Sequence, residues 1–264
     1  MIPVLYTAGA TGALAIVNAL GDVYYLPPSF TVRTVPSAKR IEPYKVAYAN
    51  GAKDVSDGKF SERTLELAGT IFAETDEDYR ALWDEIASQL LVNEDYYLRA
   101  GTRQIKIKRC STLNEDWPEG ARLRIGNLAA SLVALDPFWY KTTAAVVDLA
   151  TAGATTYGFS FLVGGTVECH PVIRVECLAA NADFTIENTG DGSGRAIRVQ
   201  DPAATAGTVI EIDCAAGTVI KDGATNIIQY ASGLFPRLLP NRINLFEYTG
   251  ASANVRFTYY WAWL

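Results

Sequence analysis

Three stretches, Pro171-Val-Ile-Arg-Val-Glu-Cys177, Ala182-Asp-Phe-Thr-Ile-Glu-Asn188 and Thr208-Val-Ile-Glu-Ile-Asp-Cys214, decide the fold. In the first, Ile173, Val175 and Cys177 share one parity. In the second, apolar and polar residues alternate from Ala182 to Glu187. In the third, Ile210 and Ile212 lie opposite Glu211 and Asp213. A period of two is the mark of a half-buried strand. Between these runs the chain carries turn punctuation. Asn188-Thr-Gly-Asp-Gly-Ser-Gly194 leads into a strand over Arg195 to Val199, and Asp222-Gly223 turns the chain again. Asn241 to Tyr248 and Asn254 to Leu264 read as the closing strands. In the last of these Val255, Phe257, Tyr259, Trp261 and Trp263 share a face, as core or as an assembly interface. Short strands recurring between turns, with no helical period among them, indicate a sandwich or barrel.

Moving toward the N-terminus, Asp136-Pro-Phe-Trp-Tyr140 marks a boundary. Before it, Arg122 to Leu135 reads as a long strand able to bend at Gly126. Tyr96 to Arg99 and Arg103 to Cys110 form a hairpin around Ala100-Gly101-Thr102. One helix stands out. Thr75 can cap it, Asp76, Glu77 and Asp78 suit its positive end, and Tyr79, Leu82, Trp83, Ile86 and Leu90 form one apolar stripe. This spacing makes Trp83 an anchor of the helix against its sheet. Just before it, Leu65, Leu67, Gly69 and Ile71 alternate as a strand. Further strands are expected at Ile2 to Tyr6, Leu14 to Val17, Val23 to Leu26 and Phe30 to Val35. Residues 36–59 mix Lys39, Arg40, Lys45, Lys53 and Lys59 with prolines and glycines, as a long exposed excursion. The chain is therefore expected to be mainly β. A first domain spans 1–140, with its helix near 76–92, and a second spans 141–264, leaving open a return of 254–264 to the first.

The chemistry-bearing residues are sparse. The chain of 264 residues has one histidine, His170. A serine or cysteine hydrolase of the usual kind would have to use it as the base, and a zinc enzyme usually needs several nitrogen ligands. Cys169-His170 with Cys177 could bind a metal, but Pro171 redirects the chain and no fourth ligand is in view. The four cysteines have no CxxC spacing and are expected to be buried thiols. Gly190-Asp-Gly-Ser-Gly194 lacks the glutamate of a calcium loop and the lysine of a phosphate loop, so it reads as a hairpin connection; Asp54-x-x-Asp57-Gly58 fails the calcium pattern likewise. Glu211 and Asp213 lie on the polar face of a strand, as a solvated pair. No catalytic, cofactor-binding or metal-binding residue is assigned, and no cofactor is expected. A net charge of −6 argues against a protein that grips nucleic acid through its phosphates. No apolar run approaches the roughly 20 residues that span a bilayer, so membrane insertion is not expected. The first basic residue is Arg33, so the apolar start lacks the charged region of a signal peptide. The expectation is mature sequence that folds in the cytoplasm of the producing cell.

The order of motifs resembles a known family. Gly69-Thr-Ile precedes the acidic-capped helix containing Leu82-Trp83, and the next long strand ends in Leu135-Asp-Pro-Phe-Trp-Tyr140. Then come Gly165-Thr-Val, Pro171-Val-Ile-Arg-Val, Thr185-Ile-Glu-Asn188, Val209-Ile-Glu-Ile-Asp213 and Val219-Ile-Lys-Asp-Gly223. Ser232-Gly-Leu-Phe-Pro236 and Leu239-Pro-Asn-Arg-Ile-Asn244 follow, before the aromatic end. From about residue 60 onward the chain is similar to the distal tail proteins of long, non-contractile-tailed bacteriophages. The resemblance implies a β-rich belt domain with one helix, six copies of which form a baseplate ring between the tail tube and the tail-tip hub. It also implies an outer galectin-like β-sandwich. Implied partners are further copies of the chain, the tube protein, the hub protein and receptor-binding proteins, with DNA passing through the lumen unbound. The clustered His, Asn, Arg and Trp set of a sugar-binding galectin is not present. A carbohydrate-binding module or lectin is the alternative from a different class.

Overall fold

The computed structural model describes residues 14–34, 43–44, 53–54, 60–92, 94–116, 124–150 and 156–264. The expected strand at Ile2 to Tyr6, the Asp57-Gly58 pair and most of the 36–59 excursion lie outside them. The chain divides into two compact units, Met1–Thr142 with Leu264, and Thr143–Trp263.

In the first unit, β1 (Leu14–Val17), β2 (Val23–Tyr25), β3 (Thr31–Thr34), β4 (Pro43–Tyr44), β5 (Lys53–Asp54) and β6 (Arg63–Phe72) precede helix α1 (Asp76–Leu90). After it come β7 (Tyr96–Ala100), β8 (Arg103–Ile107), β9 (Arg109–Asp116), β10 (Ile125–Ala134) and β11 (Trp139–Lys141). One sheet of this unit runs β2-β1-β7-β8-β11 and another β3-β6-β10-β9, while β4 and β5 pair as a ribbon within the excursion. The Thr75 hydroxyl accepts from the Asp78 backbone N–H at 3.1 Å and so caps α1, beside three acids in the first turn.

The stripe of α1 packs unevenly. Tyr79, Ile86 and Leu90 are buried, but Leu82 and Trp83 are only half-buried. Tyr79, rather than Trp83, is the anchor. Its hydroxyl donates to Glu115 Oε1 at 2.8 Å, and its ring tip lies where a side chain on Gly126 would be. Glycine at 126 therefore makes room for Tyr79.

The expected strand from Arg103 to Cys110 is two strands. It breaks at Lys108, whose backbone N–H donates to Val133 O and whose ammonium bonds Asp95 at 2.7 Å; the chain there leaves one sheet for the other. The continuation, β9, is an edge strand with little apolar burial, so it leaves no alternation to read.

In the second unit, β12 (Ala145–Ala150), β13 (Thr156–Val163), β14 (Val172–Cys177), β15 (Ala182–Asn188), β16 (Ala196–Asp201) and β17 (Val209–Asp213) are followed by five more strands of the same two sheets. These are β18 (Thr218–Lys221), β19 (Thr225–Asn226), β20 (Ala231–Gly233), β21 (Arg242–Gly250) and β22 (Ala253–Tyr259). They form two antiparallel sheets, β12-β22-β14-β17-β18-β19 and β13-β21-β15-β16-β20. The sheets meet through aromatic rings. Phe159, Phe161 and Phe246 from one lie against Phe257 of the other, with Phe246 and Phe257 edge to face at 4.9 Å between centroids, and Tyr259 stacks on Phe161 at 5.4 Å. This is a β-sandwich, and the protein is mainly β with one α-helix among the described residues, as the alternation predicts.

The closing aromatic strand is shorter than its parity implies. Val255, Phe257 and Tyr259 are buried in β22, but Trp261 and Trp263 are not. The chain breaks after Tyr259, and Ala262 turns in instead, bridging Gly165 and Val167. Gly165 has φ +101° and sits against the Ala262 carbonyl oxygen, where a side chain would collide with backbone. This accounts for glycine in the Gly165-Thr-Val motif.

Candidate functional site

The structure separates the residues that a metal or catalytic site would need together. Cys169 is buried and its neighbour His170 is exposed, so adjacent side chains point to opposite sides of the backbone. The register there is fixed by paired hydrogen bonds between Cys169 and Leu238. Burial pushes the Cys169 and Cys214 thiols up to about 12, which keeps both protonated and poor as ligands or nucleophiles. The four cysteines are free, with three buried and Cys110 half-buried. Asp213 accepts from the backbone N–H groups of Ala215 and Ala216, both at 2.9 Å, and holds a turn while Glu211 stands exposed. The Gly190–Gly194 segment connects β15 to β16. There Asp191 accepts from Ser193 and lies 3.4 Å from Arg237. Among the described residues no group of three or more His, Cys, Asp or Glu side chains is placed to hold a metal ion. No helix among them is long and apolar enough to cross a membrane.

What the fold does present is surface suited to assembly. The sheet β3-β6-β10-β9 turns Leu65, Leu67, Ile71, Leu128, Ala130 and Leu132 inward. Its other face carries mainly small neutral residues, Ala68 and Thr70 on β6 beside Asn127, Ala129 and Ser131 on β10. Arg33 on β3 lies directly across from Glu66, so charge on this face is balanced locally. At one end Phe72, 61% exposed, and Ile125 face each other across the strands as an open apolar pair.

In the second unit a similar pair lies on the outer side of the sandwich. Leu162 on edge strand β13 and Ile243 on β21 are register partners, 64% and 60% exposed, with the exposed Leu245 on their diagonal. Beside them, residues 234–241 are pinned from below. Asn188 donates to Arg237 O at 2.7 Å and to Asn244 Oδ1 at 3.0 Å; Asn244 in turn accepts from the Leu239 N–H and donates to Leu239 O. Arg237 closes the arrangement on Glu168 at 2.9 Å. Sequence reading quotes both asparagines as motif residues but gives them no role. The available signal is parity, since Asn244 shares the buried side of β21 with Phe246 and Tyr248.

Residues 164–263 match the family described as siphovirus-type tail component, C-terminal domain. Among solved structures, the Dit protein of phage SPP1, described as a paradigm of the hub adsorption apparatus in phages infecting Gram-positive bacteria, is similar over 96% of this chain and 99% of its own. The identity is 14% and the TM-score 0.69. Chains of the phage P2 baseplate in its activated conformation, with calcium and with strontium, cover 93% of this chain and 97% of their own at 10% identity. Their TM-scores of 0.45 and 0.43 mark a looser likeness. No curated protein sequence matches the chain. The protein has the fold of a siphophage distal tail protein. Its residues 164–263 match the siphovirus-type tail component family, and the two matches together support a structural component of the bacteriophage tail.

Proposed function

We propose that the chain is a distal tail protein whose six copies form a ring joining the tail tube to the tail-tip hub and its receptor-binding apparatus. Residues 1–140 form the ring and residues 141–264 the outer galectin-like sandwich. The observation that carries this reading is the likeness to a distal tail fold across 96% of the chain, with an independent sequence match in its C-terminal part. The role is geometric and needs no catalysis, no cofactor and no metal. A patch on one copy meets a different patch on the next, and the repeated rotation closes. Assembly takes place in the host cytoplasm, and the finished ring resides at the virion tail tip.

DNA has to cross such a ring without being held. A wall of basic residues would bind phosphates by releasing their counterions. The small, charge-balanced face of β3-β6-β10-β9 suits a channel wall, and each copy brings a net charge of −6. Lys39, Arg40 and Lys45 lie outside the described residues. The outer patch of Leu162, Ile243 and Leu245 is aliphatic. It offers no ring for a sugar to stack on, which favours protein partners over saccharide. The test is electron microscopy of the purified full chain. Six-fold rings with an open centre are expected, and only single subunits at every concentration would overturn the reading.

A further inference from the structure

Arg63 opens β6 with the parity of Leu65, Leu67 and Ile71, so the pleat sends its guanidinium to the buried side. The residue is 2% exposed. Its Nε is buried without a hydrogen-bond partner, and no ion pair reaches the side chain among the described residues. Desolvation lowers its pKa, yet an arginine keeps its charge in any protein environment. A buried charge without a partner is unfavourable and is normally paired or avoided.

The guanidinium is not sealed in. It lines a cleft of about 330 Å³ with Val32, Thr34, Ala100, Arg103 and Trp139, and Leu264 of the same unit also borders it. The Arg63 guanidinium, set beside apolar walls, fits a carboxylate. The planar fork of arginine matches its two oxygens, and water exclusion strengthens the pair. A ring built from identical copies needs a heterologous contact, in which each copy offers a donor patch and an acceptor patch. The chain is rich in carboxylates, with 29 Asp and Glu against 23 Lys and Arg. The exposed side of α1 presents three of them, Glu77, Asp84 and Glu85, at spacings that share one helix face.

We propose that the Arg63 cleft receives a carboxylate from the acidic outer face of α1 on a second copy of this chain, so that this buried charge is neutralised only on assembly. The inference rests on the ring reading and adds a specific contact to it. It gives Arg63 opposite effects in the free and the assembled protein. In the free chain its removal relieves an uncompensated charge; in the assembly its removal deletes an ion pair.

The experiment compares the full-length wild type, Arg63→Met, a Glu77→Gln/Asp84→Asn/Glu85→Gln triple variant, and their combination, by sedimentation and thermal melting. Arg63→Met should raise the melting temperature of the dilute, dissociated protein and weaken self-association at least tenfold. The triple variant changes only exposed side chains, so it tests the contact even if Arg63→Met folds poorly. It should weaken association similarly, and the combined variant should be no weaker than either alone. Wild-type association with Arg63→Met equally strong would overturn the contact while leaving the ring intact. So would additive losses in the combined variant, or the same loss on deleting Leu264. A wild type that never associates would instead remove the ring itself.

Discussion

The two units treat buried charge in opposite ways. In the sandwich, Asp201 is 1% exposed and is met by Lys221 Nζ at 2.9 Å and by the Ala203 N–H at 2.9 Å, and Lys221 also donates to Ala203 O. Asp191 has Ser193 and Arg237, and Asn188 and Asn244 satisfy each other. In the first unit, Arg63 is as deeply placed and has none of this among the described residues. A satisfied buried network rigidifies a domain, whereas an unsatisfied one destabilises it unless something outside supplies the partner. The contrast suits a sandwich complete as a single chain and a belt unit completed by its neighbours.

The largest effect is expected where the sandwich network is broken. Lys221→Met leaves Asp201 buried and unpaired, and should cost about 3 kcal/mol, read as a lower urea midpoint at neutral pH. Burial alone would raise the Asp201 carboxyl, but Lys221 and the Ala203 N–H outweigh it and hold it below the usual carboxylate range. The wild-type pair therefore stabilises above the unfolded value near pH 4, and that stability is lost as pH falls through the folded value. In Lys221→Met the sign reverses, because an unpaired buried carboxyl is raised; the variant should regain stability on mild acidification. A urea midpoint that falls with pH in both proteins would break the comparison.

A smaller loss is expected from Asn244→Ala, which strands the Leu239 N–H and the Asn188 amide. About 2 kcal/mol should be lost, and hydrogen exchange should quicken over residues 234–241. In the first unit, Tyr79→Phe removes one hydrogen bond to Glu115 and should cost about 1 kcal/mol in thermal unfolding. The smallest effect belongs to His170→Ala. His170 is exposed, so melting temperature and assembly should be unchanged within error.

Alternation is legible in a sequence wherever one face is buried and the other is wet. That is why β6, β14, β15 and β17 are found from the residues, and why α1 is bounded correctly by Thr75 and its apolar stripe. β9 escapes because an edge strand buries little, and the switch of sheets at Lys108 depends on a distant carbonyl, Val133 O. β13 carries a readable signal in Phe159 and Phe161, flanked by Ser160 and Leu162. The exposed Leu162 blurs it, since it places an apolar residue on the wet side. The Trp83 expectation fails for a related reason. Periodicity gives the face of a helix but not how deep each residue on it lies, and Tyr79 takes the depth that Gly126 leaves open. Arg63 is the most informative case. A charge on the parity of Leu65 and Leu67 contradicts the strand pattern at that position, and among the described residues that charge has no partner.

The central claim is that identical copies of this chain close into a ring of six. Native mass measurement of the full-length protein across a range of concentrations tests it most directly. The account expects a species of six chain masses that grows at the expense of the single chain as concentration rises. A protein that stays monomeric throughout, or stops at two copies, would contradict it.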